Sequence, residues 1–416
     1  MTWTAEEAEA YLASLEPLGM RFGLERIRKL VSVLGMPQHR FASVHVVGTN
    51  GKTSVTQMTA ALLEAHGMPT GAYVSPHDER WAERIQVRGA EIAPGAFAAA
   101  VERVAEAVPA VERTLDEGDF VTQFEADTAA AFVALAAAGV RAGVIEAGLG
   151  GRLDATNVLP SRVTALTSIG LEHTQWLGDT EVEIAAEKLA VLRDHTTLVL
   201  GPVSEDVERL ARETARERSS TVVAVKDLAP QVELPSAAPY LRRDFAVALA
   251  AAEAMLDSLD PERVLEVAAG LELPGRMQTI DADPPLILDA AHNPAGAKAL
   301  AEALSVAAHG RPVTACVAVL ADKDAAGIVA ALAPAIDGLV ATEIPRERLA
   351  SAGRPGAEAY AASALASAAR EARIGWVGEE LDAAAALALA RDRARAGGGV
   401  VLVTGSHYLL PYASEN

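Results

Sequence analysis

The chain has 416 residues, half of them hydrophobic and 22% charged, enough for two or three domains each with its own packed core. Its 56 acidic against 36 basic residues give a net charge of −20, which opposes non-specific binding to nucleic acid or an anionic membrane, so a polyanionic ligand has to be met by local positive charge. The single cysteine, Cys316, excludes an internal disulfide and a multi-thiolate metal site; it lies in the apolar run Val313 to Leu320 and is expected to be a buried structural thiol.

No basic leader followed by an apolar stretch opens the chain, and no apolar stretch is long enough to span a bilayer, so a cytoplasmic protein without membrane or nucleic-acid partners is expected. Thr4 to Leu15 has helical composition, with Thr4 as its cap and Glu6 and Glu7 near the positive helix end. A second helix is expected from Leu24 to Leu34. Strand residues Val44 to Val47 then run into Gly48-Thr49-Asn50-Gly51-Lys52-Thr53-Ser54 and a helix reaching to about His66.

That order is the sequence form of a phosphate cradle. Glycines let the backbone turn its N–H groups inward on an anion, the new helix adds its positive end, and Lys52 adds a full charge. Thr53 or Ser54 offers a hydroxyl to magnesium. In the general G-x-x-x-x-G-K-[ST] pattern the first glycine would fall at Val46 and here stands at Gly48. The strand, turn and helix around the loop, rather than the triplet alone, favour a nucleotide site over an ordinary βα turn.

A strand at Gly71 to Val74 ends in Ser75-Pro76-His77, completing a βαβ unit. A mostly helical region, Pro94 to Ala138, contains the helix start Thr122-Gln123-Phe124-Glu125. Strand Ala142 to Ile145 delivers Glu146 at its carboxyl end, before the glycine-rich run Gly148 to Asn157. In doubly wound folds ligands gather beyond such strand ends, so an acid there is well sited to hold a metal near phosphates. Strand Arg162 to Ile169 leads to the polar cluster Glu172 to Gly178. Asp179 or Thr180 caps a helix, Glu181 to Leu192, that carries Lys188. Strands near Leu198 and Val223 and helices at Arg242 to Leu256 and near Arg263 follow. Leu273-Pro274-Gly275-Arg276 and Asp281 to Pro285 read as a joint. Beyond it a fresh alternation of strands and helices, ending in strand Val400 to Thr404, predicts a second, smaller α/β domain.

Taken together, Gly48-Thr49-Asn50-Gly51-Lys52, Ser75-Pro76-His77, Glu146 with Gly148 to Asn157, Leu171 to Gly178, Pro274-Gly275-Arg276, Asp289-Ala290-Ala291-His292-Asn293-Pro294, Asp322-Lys323-Asp324 and Gly405-Ser406 resemble the folylpolyglutamate synthase and dihydrofolate synthase family of the Mur ligase superfamily. The resemblance covers nearly the whole chain. It implies an α/β protein: a P-loop ATPase domain with a central, mostly parallel sheet (1–272), a linker (273–285) and a smaller Rossmann-like glutamate ligase domain (286–416). It also implies a monomer that makes an amide from ATP, L-glutamate and a folate-type acceptor through an acyl phosphate.

In that resemblance Gly48, Thr49, Asn50, Gly51, Lys52, Thr53 and Ser54 cradle ATP, with Lys52 on the β- and γ-phosphates. Ser75, Glu146 and His173 match magnesium ligands. Lys188 matches a carbamylated lysine that binds a second magnesium, which requires an amine made less basic by burial or neighbours. Asp244, Arg276 and Asp289 match nucleotide contacts, while His292 and Ser406 match residues that hold the incoming glutamate, His292 and both lysines being the catalytic candidates. On the acceptor side Arg26, in the run Phe22 to Ile27, stands with Phe124, Glu125, Arg152 and Asp154. Standing alone, Ser75 reads as a turn hydroxyl, Glu146 as a salt-bridged strand end, His173 as a core histidine and Lys188 as a solvated helix lysine. The chain departs from the family pattern at Thr53, usually glycine, at Gln123, Ala126 and Asp127, and at Tyr240, Leu241 and Asp244 where His-Gln-x-x-Asn is common. The alternatives are a superfamily ligase for another carboxylate, such as a cell-wall precursor, and a nucleotide-binding regulatory protein without ligase activity.

Overall fold

The computed structural model describes residues 3–15, 23–236, 238–280, 282–351, 354 and 356–414, so Phe22 and Asp281 lie outside the described residues. The short apolar runs of the N-terminal part become one eight-stranded sheet: β1 Ala42–Val47, β2 Thr70–Tyr73, β3 Ile85–Val87, β4 Ala90–Glu91, β5 Ala142–Glu146, β6 Val163–Leu166, β7 Thr197–Leu200 and β8 Thr221–Ala224. Their order is β4-β3-β2-β5-β1-β6-β7-β8, with β3 and β4 antiparallel at one edge and the others parallel. β1, which leads into the glycine loop, is therefore interior and flanked by β5 and β6.

The later runs form a six-stranded sheet from β9 Gln278–Ile280, β10 Leu286–Leu288, β11 Val313–Val317, β12 Gly338–Ala341, β13 Trp376–Glu379 and β14 Val400–Thr404. The order is β13-β12-β11-β14-β10-β9, all parallel except β9. The chain divides into two compact units, Met1–Val232 with Arg243–Ala269, and Glu233–Arg242 with Gly270–Asn416. Residues 273–285, expected as a linker, contain β9, which pairs with β10 from Leu286↔Ile280 to Leu288↔Gln278. Three residues are too short for a period-two signal to show. Residues 233–242, expected with the first domain, group with the second unit, where the Tyr240 hydroxyl donates to Asp289 Oδ2.

Cys316 is buried in the second core, and burial pushes its thiol up to about 12. No helix among the described residues is long and apolar enough to cross a membrane.

Helices of the first unit begin with reciprocal caps, that of Thr180 with Glu183 included. Thr4 accepts from Glu7 N while Glu7 accepts from Thr4 N, and Thr122 and Glu125 do the same. The helix Gln123–Ala137 is alanine-rich and buried on nearly every side, packing on the helices Pro94–Glu112, Glu25–Val33 and Ala5–Ser14. An apolar helix of small residues suits this buried position between neighbours. Gln123 and Asp127, two departures from the family pattern, serve this packing. Gln123 Nε2 donates to Leu12 O at 2.9 Å. Asp127 Oδ2 accepts from Tyr73 Oη at 2.7 Å and Arg84 Nη1 at 2.8 Å, while Arg84 Nε donates to His77 Nδ1 at 2.8 Å. Burial pushes the Asp127 carboxyl up and Arg84 opposes it. The network ties the Ser75-Pro76-His77 turn to the core. Asp127→Ala strands the buried Arg84 charge, and urea denaturation is expected to show a loss of about 3–5 kcal/mol.

Candidate active site

The loop Gly48–Lys52 is held from outside by the end of β6. Thr49 N donates to Ser168 O at 2.8 Å, and Asn50 O accepts from Thr167 Oγ1 at 2.6 Å and Ser168 Oγ at 3.0 Å. Two glycines are required. Gly48 has φ +155°, and a Cβ there would lie 1.9 Å from Thr167 Oγ1; Gly51 has φ +81°, and a Cβ there would lie 2.4 Å from Asp244 Oδ1. Asp244 thus lies against the cradle itself.

Two amines meet the same loop. Lys52 Nζ donates to Thr49 O at 3.0 Å, and Lys188 Nζ donates to Gly48 O at 2.8 Å. Lys188 is buried rather than solvated. Burial first, then the neighbouring Lys52 charge, pushes its pKa down to about 7 against the opposing pull of Glu172 and Asp154.

The register Val46↔Glu146 sets Glu146 beside the end of β1. Its carboxylate accepts from Thr53 Oγ1 at 3.1 and 3.0 Å and from Ser75 N at 3.1 Å. Ser54 is buried with no hydrogen-bond partner for its hydroxyl, so of the two hydroxyls considered for magnesium it is Thr53 that reaches the acid. His173, left-handed at φ 51°, begins the short helix Thr174–Leu177, with Nε2 3.8 Å from Glu172 Oε1. Among the described residues no group of three or more His, Cys, Asp or Glu side chains is gathered to hold a metal. The donors around Glu146 are hard oxygens of carboxylate and hydroxyl, which suit magnesium completed by waters and phosphate oxygens.

Of the acceptor-side candidates, Arg26 and Glu125 are engaged with each other. Arg26 Nε lies 3.1 and 3.0 Å from the two Glu125 oxygens, and Arg26 Nη1 lies 3.2 Å from Asp119 Oδ1. Glu125 Oε2 also accepts from Thr122 N and Oγ1, each at 2.9 Å. Arg152 pairs with Glu187 at 2.8 Å on the surface. Phe124 packs over Gly148, where a Cβ would lie 2.5 Å from the ring. Asp154 is buried and turned into its own loop. Thr167, Ser168, His45 and Thr156 are not among the expected site residues; adjacent hydroxyls just past a strand end, as at Thr167-Ser168, are the signal that the sequence offers.

In the second unit the parallel neighbours β10 and β14 carry Asp289 and Ser406 beyond their ends, and Gly405 N donates to Ala291 O at 3.1 Å. Asp289 accepts from Met277 N at 3.0 Å, Ala291 N at 3.0 Å and the Tyr240 hydroxyl, with burial raising its pKa and Arg276 opposing. Arg276 Nη1 donates to Gly275 O at 2.9 Å. His292 Nδ1 lies 2.9 Å from Ala290 O. Because a carbonyl only accepts, Nδ1 is the donor in this contact. Ser406 is buried and caps the turn His407–Leu409.

The chain matches the Mur ligase middle domain over residues 46–231 and the Mur ligase glutamate ligase domain over residues 275–407. It is 34% identical over 358 residues to a dihydrofolate synthase/folylpolyglutamate synthase of Mycobacterium tuberculosis, covering 77% of this chain and 74% of that one. The chain belongs to the dihydrofolate synthase/folylpolyglutamate synthase family. Within that family the Escherichia coli dihydrofolate synthase/folylpolyglutamate synthase is 31% identical over 342 residues, 79% of each chain. The structure of M. tuberculosis folylpolyglutamate synthase complexed with ADP and AMPPCP superposes with a TM-score of 0.89 at 30% identity, over 99% of this chain and 98% of that one. A Yersinia pestis bifunctional folylpolyglutamate synthase/dihydrofolate synthase with Mn, AMPPNP and L-glutamate bound superposes with a TM-score of 0.83 at 28% identity, over 100% and 99% of the chains.

Proposed function

We propose that the chain is an ATP-dependent ligase that adds L-glutamate to a folate-type carboxylate, dihydropteroate or tetrahydrofolate or both, and releases ADP and phosphate. Residues 1–272 serve ATP and the acceptor, residues 286–416 serve glutamate, and 273–285 join them. The observation that carries the reading is the gathering of Lys52 and Lys188 on one glycine loop, with Glu146 held by Thr53 in the first turn after it.

The first step brings two anions together: an acceptor carboxylate oxygen attacks the γ-phosphorus of ATP, and ADP leaves. Lys52, released from Thr49 O, meets the β- and γ-phosphates, and the loop N–H groups take the remaining oxygens. Magnesium, when bound, neutralises charge on the phosphate oxygens; Ser75, Glu146 and His173 are the proposed holders of one ion. Lys188 in its neutral form adds CO₂, losing a proton and becoming a carbamate that serves a second ion. The glutamate amine, held near His292 and Ser406, then attacks the acyl carbon and phosphate leaves. His292 is proposed to take the amine proton. Arg276, Asp289 and Asp244 are proposed to meet the nucleotide. Arg26, Phe124, Glu125, Arg152 and Asp154 shape the acceptor side, the arginine and glutamate as a preformed pair.

Phosphate release with ATP, magnesium and glutamate, measured over dihydropteroate, tetrahydrofolate and UDP-muramyl acceptors, tests this. Turnover with one or both pterin acceptors is expected. Turnover with the muramyl acceptor alone overturns the folate assignment, and ATP binding with no turnover on any acceptor favours the regulatory alternative.

A further inference from the structure

The glycine-rich run after β5 is anchored from below by three buried side chains in series. Asp154 Oδ2 accepts from Leu149 N at 2.8 Å, and Oδ1 accepts from Thr156 N at 3.0 Å and from the Thr156 hydroxyl at close range. Burial pushes the Asp154 carboxyl up and its hydrogen bonds oppose this; in the ionised form its oxygen can only accept the hydroxyl's one proton. In that form Thr156 Oγ1 is the acceptor for His45 Nε2, 2.8 Å away. That assigns the tautomer: Nε2 carries the proton, and the buried Nδ1, without a hydrogen-bond partner, carries the lone pair. Burial holds the ring neutral, its pKa pushed down to about 3, so the ring itself gains no proton over the working range of an enzyme.

His45 lies on β1, the strand that runs into the phosphate loop, and is fully buried. A leucine would fill this core position without leaving a ring nitrogen unsatisfied. What it would lack is a donor of fixed direction. The anchored run has acceptor-side neighbours on one side, where Phe124 packs over Gly148, and the lysine-bearing helix on the other, where Arg152 N donates to Glu187 O at 3.0 Å. Its far end is fixed separately by Arg193, whose Nη2 donates to Asn157 O at 2.7 Å and Nε to Leu159 O at 2.9 Å.

We propose that His45 and Thr156 are positioning residues for the acceptor: the series His45→Thr156→Asp154 registers the Gly148–Asn157 run to the strand that carries the phosphate loop, and so sets where the acceptor carboxylate stands relative to the γ-phosphate. This rests on the folate-ligase reading above. Neither side chain touches a substrate, so the effect should fall on the acceptor rather than on ATP.

His45→Leu and Thr156→Val each remove one link, while His45→Gln keeps a donor near the position of Nε2. Steady-state kinetics are expected to show the acceptor KM raised about tenfold or more in His45→Leu and Thr156→Val, with the ATP and glutamate KM within about twofold. His45→Gln should stay within about threefold, and the His45→Leu/Thr156→Val double variant should be no worse than the worse single one. Equal rises in ATP and acceptor KM, failure of His45→Gln to rescue, or additive losses would overturn the proposal. If His45→Leu does not fold, Thr156→Val against Thr156→Ser carries the same comparison. Hydrogen exchange separates this inference from the function reading. In Thr156→Val without ligands the Leu149 and residue-156 amides should exchange about tenfold faster or more. Unchanged exchange sinks the anchor whatever the enzyme acts on, whereas a wild-type protein inactive on every pterin acceptor sinks the function reading instead.

Discussion

Lys188→Ala is expected to lower the rate of ATP-dependent phosphate release about 10³-fold, the scale for removing a preorganised charge from a transition state, with partial recovery in millimolar acetate or formate. The expectation follows from where the amine sits. It is buried, bonded to Gly48 O and crowded by Lys52, so its pKa falls to about 7 and a large share is neutral at working pH. A neutral amine is the form that adds CO₂. In the unfolded chain the same lysine titrates near 10.5, so the folded state binds fewer protons between that value and 7. The free amine therefore costs stability progressively as pH falls across that window. At fixed CO₂ pressure, carbamate formation should rise with pH through about 7. Carbon-13 NMR after equilibration with labelled bicarbonate should show a carbamate signal that Lys188→Ala lacks. Full activity in that variant, or no such signal in the wild type, would end the carbamate assignment.

Glu146→Gln should leave the fold intact and reduce turnover about 10²- to 10³-fold, because it removes charge while keeping an acceptor for Thr53 and Ser75. Its weakened grip on a divalent ion can be read without turnover. Manganese titration followed by electron paramagnetic resonance should give a dissociation constant raised about tenfold or more. Binding that matches the wild type would move the metal role to other oxygens. If binding weakens while turnover is unchanged, the acid holds an ion the reaction does not need.

Most of the fold could be read from the chain because its signals are local. Thr4-x-x-Glu7 and Thr122-x-x-Glu125 are capping boxes, and both cap helices. The apolar runs at Val44 and Ala142 lie within β1 and β5, and the first part of the run from Val313 forms β11. The three-residue β9 was missed because its evidence is its partner, β10, and not its own composition. The site divides along the same line. The glycine loop is contiguous, so Gly48 to Lys52 could be picked out together. The Arg26–Glu125 pair and the inward turn of Asp154 depend on contacts between distant segments, which no spacing encodes. His45 was invisible for a related reason: in an apolar strand, a buried histidine looks the same whether or not a threonine from a later loop receives its proton.

The hydroxyls of Thr167 and Ser168, borrowed from a neighbouring strand, already occupy the carbonyl of Asn50. An incoming triphosphate thus meets a receptacle whose shape was settled during folding, and little chain disorder has to be surrendered on arrival. In the proposed function, discrimination among nucleosides is left to side chains outside the turn, with Asp244 the proposed one.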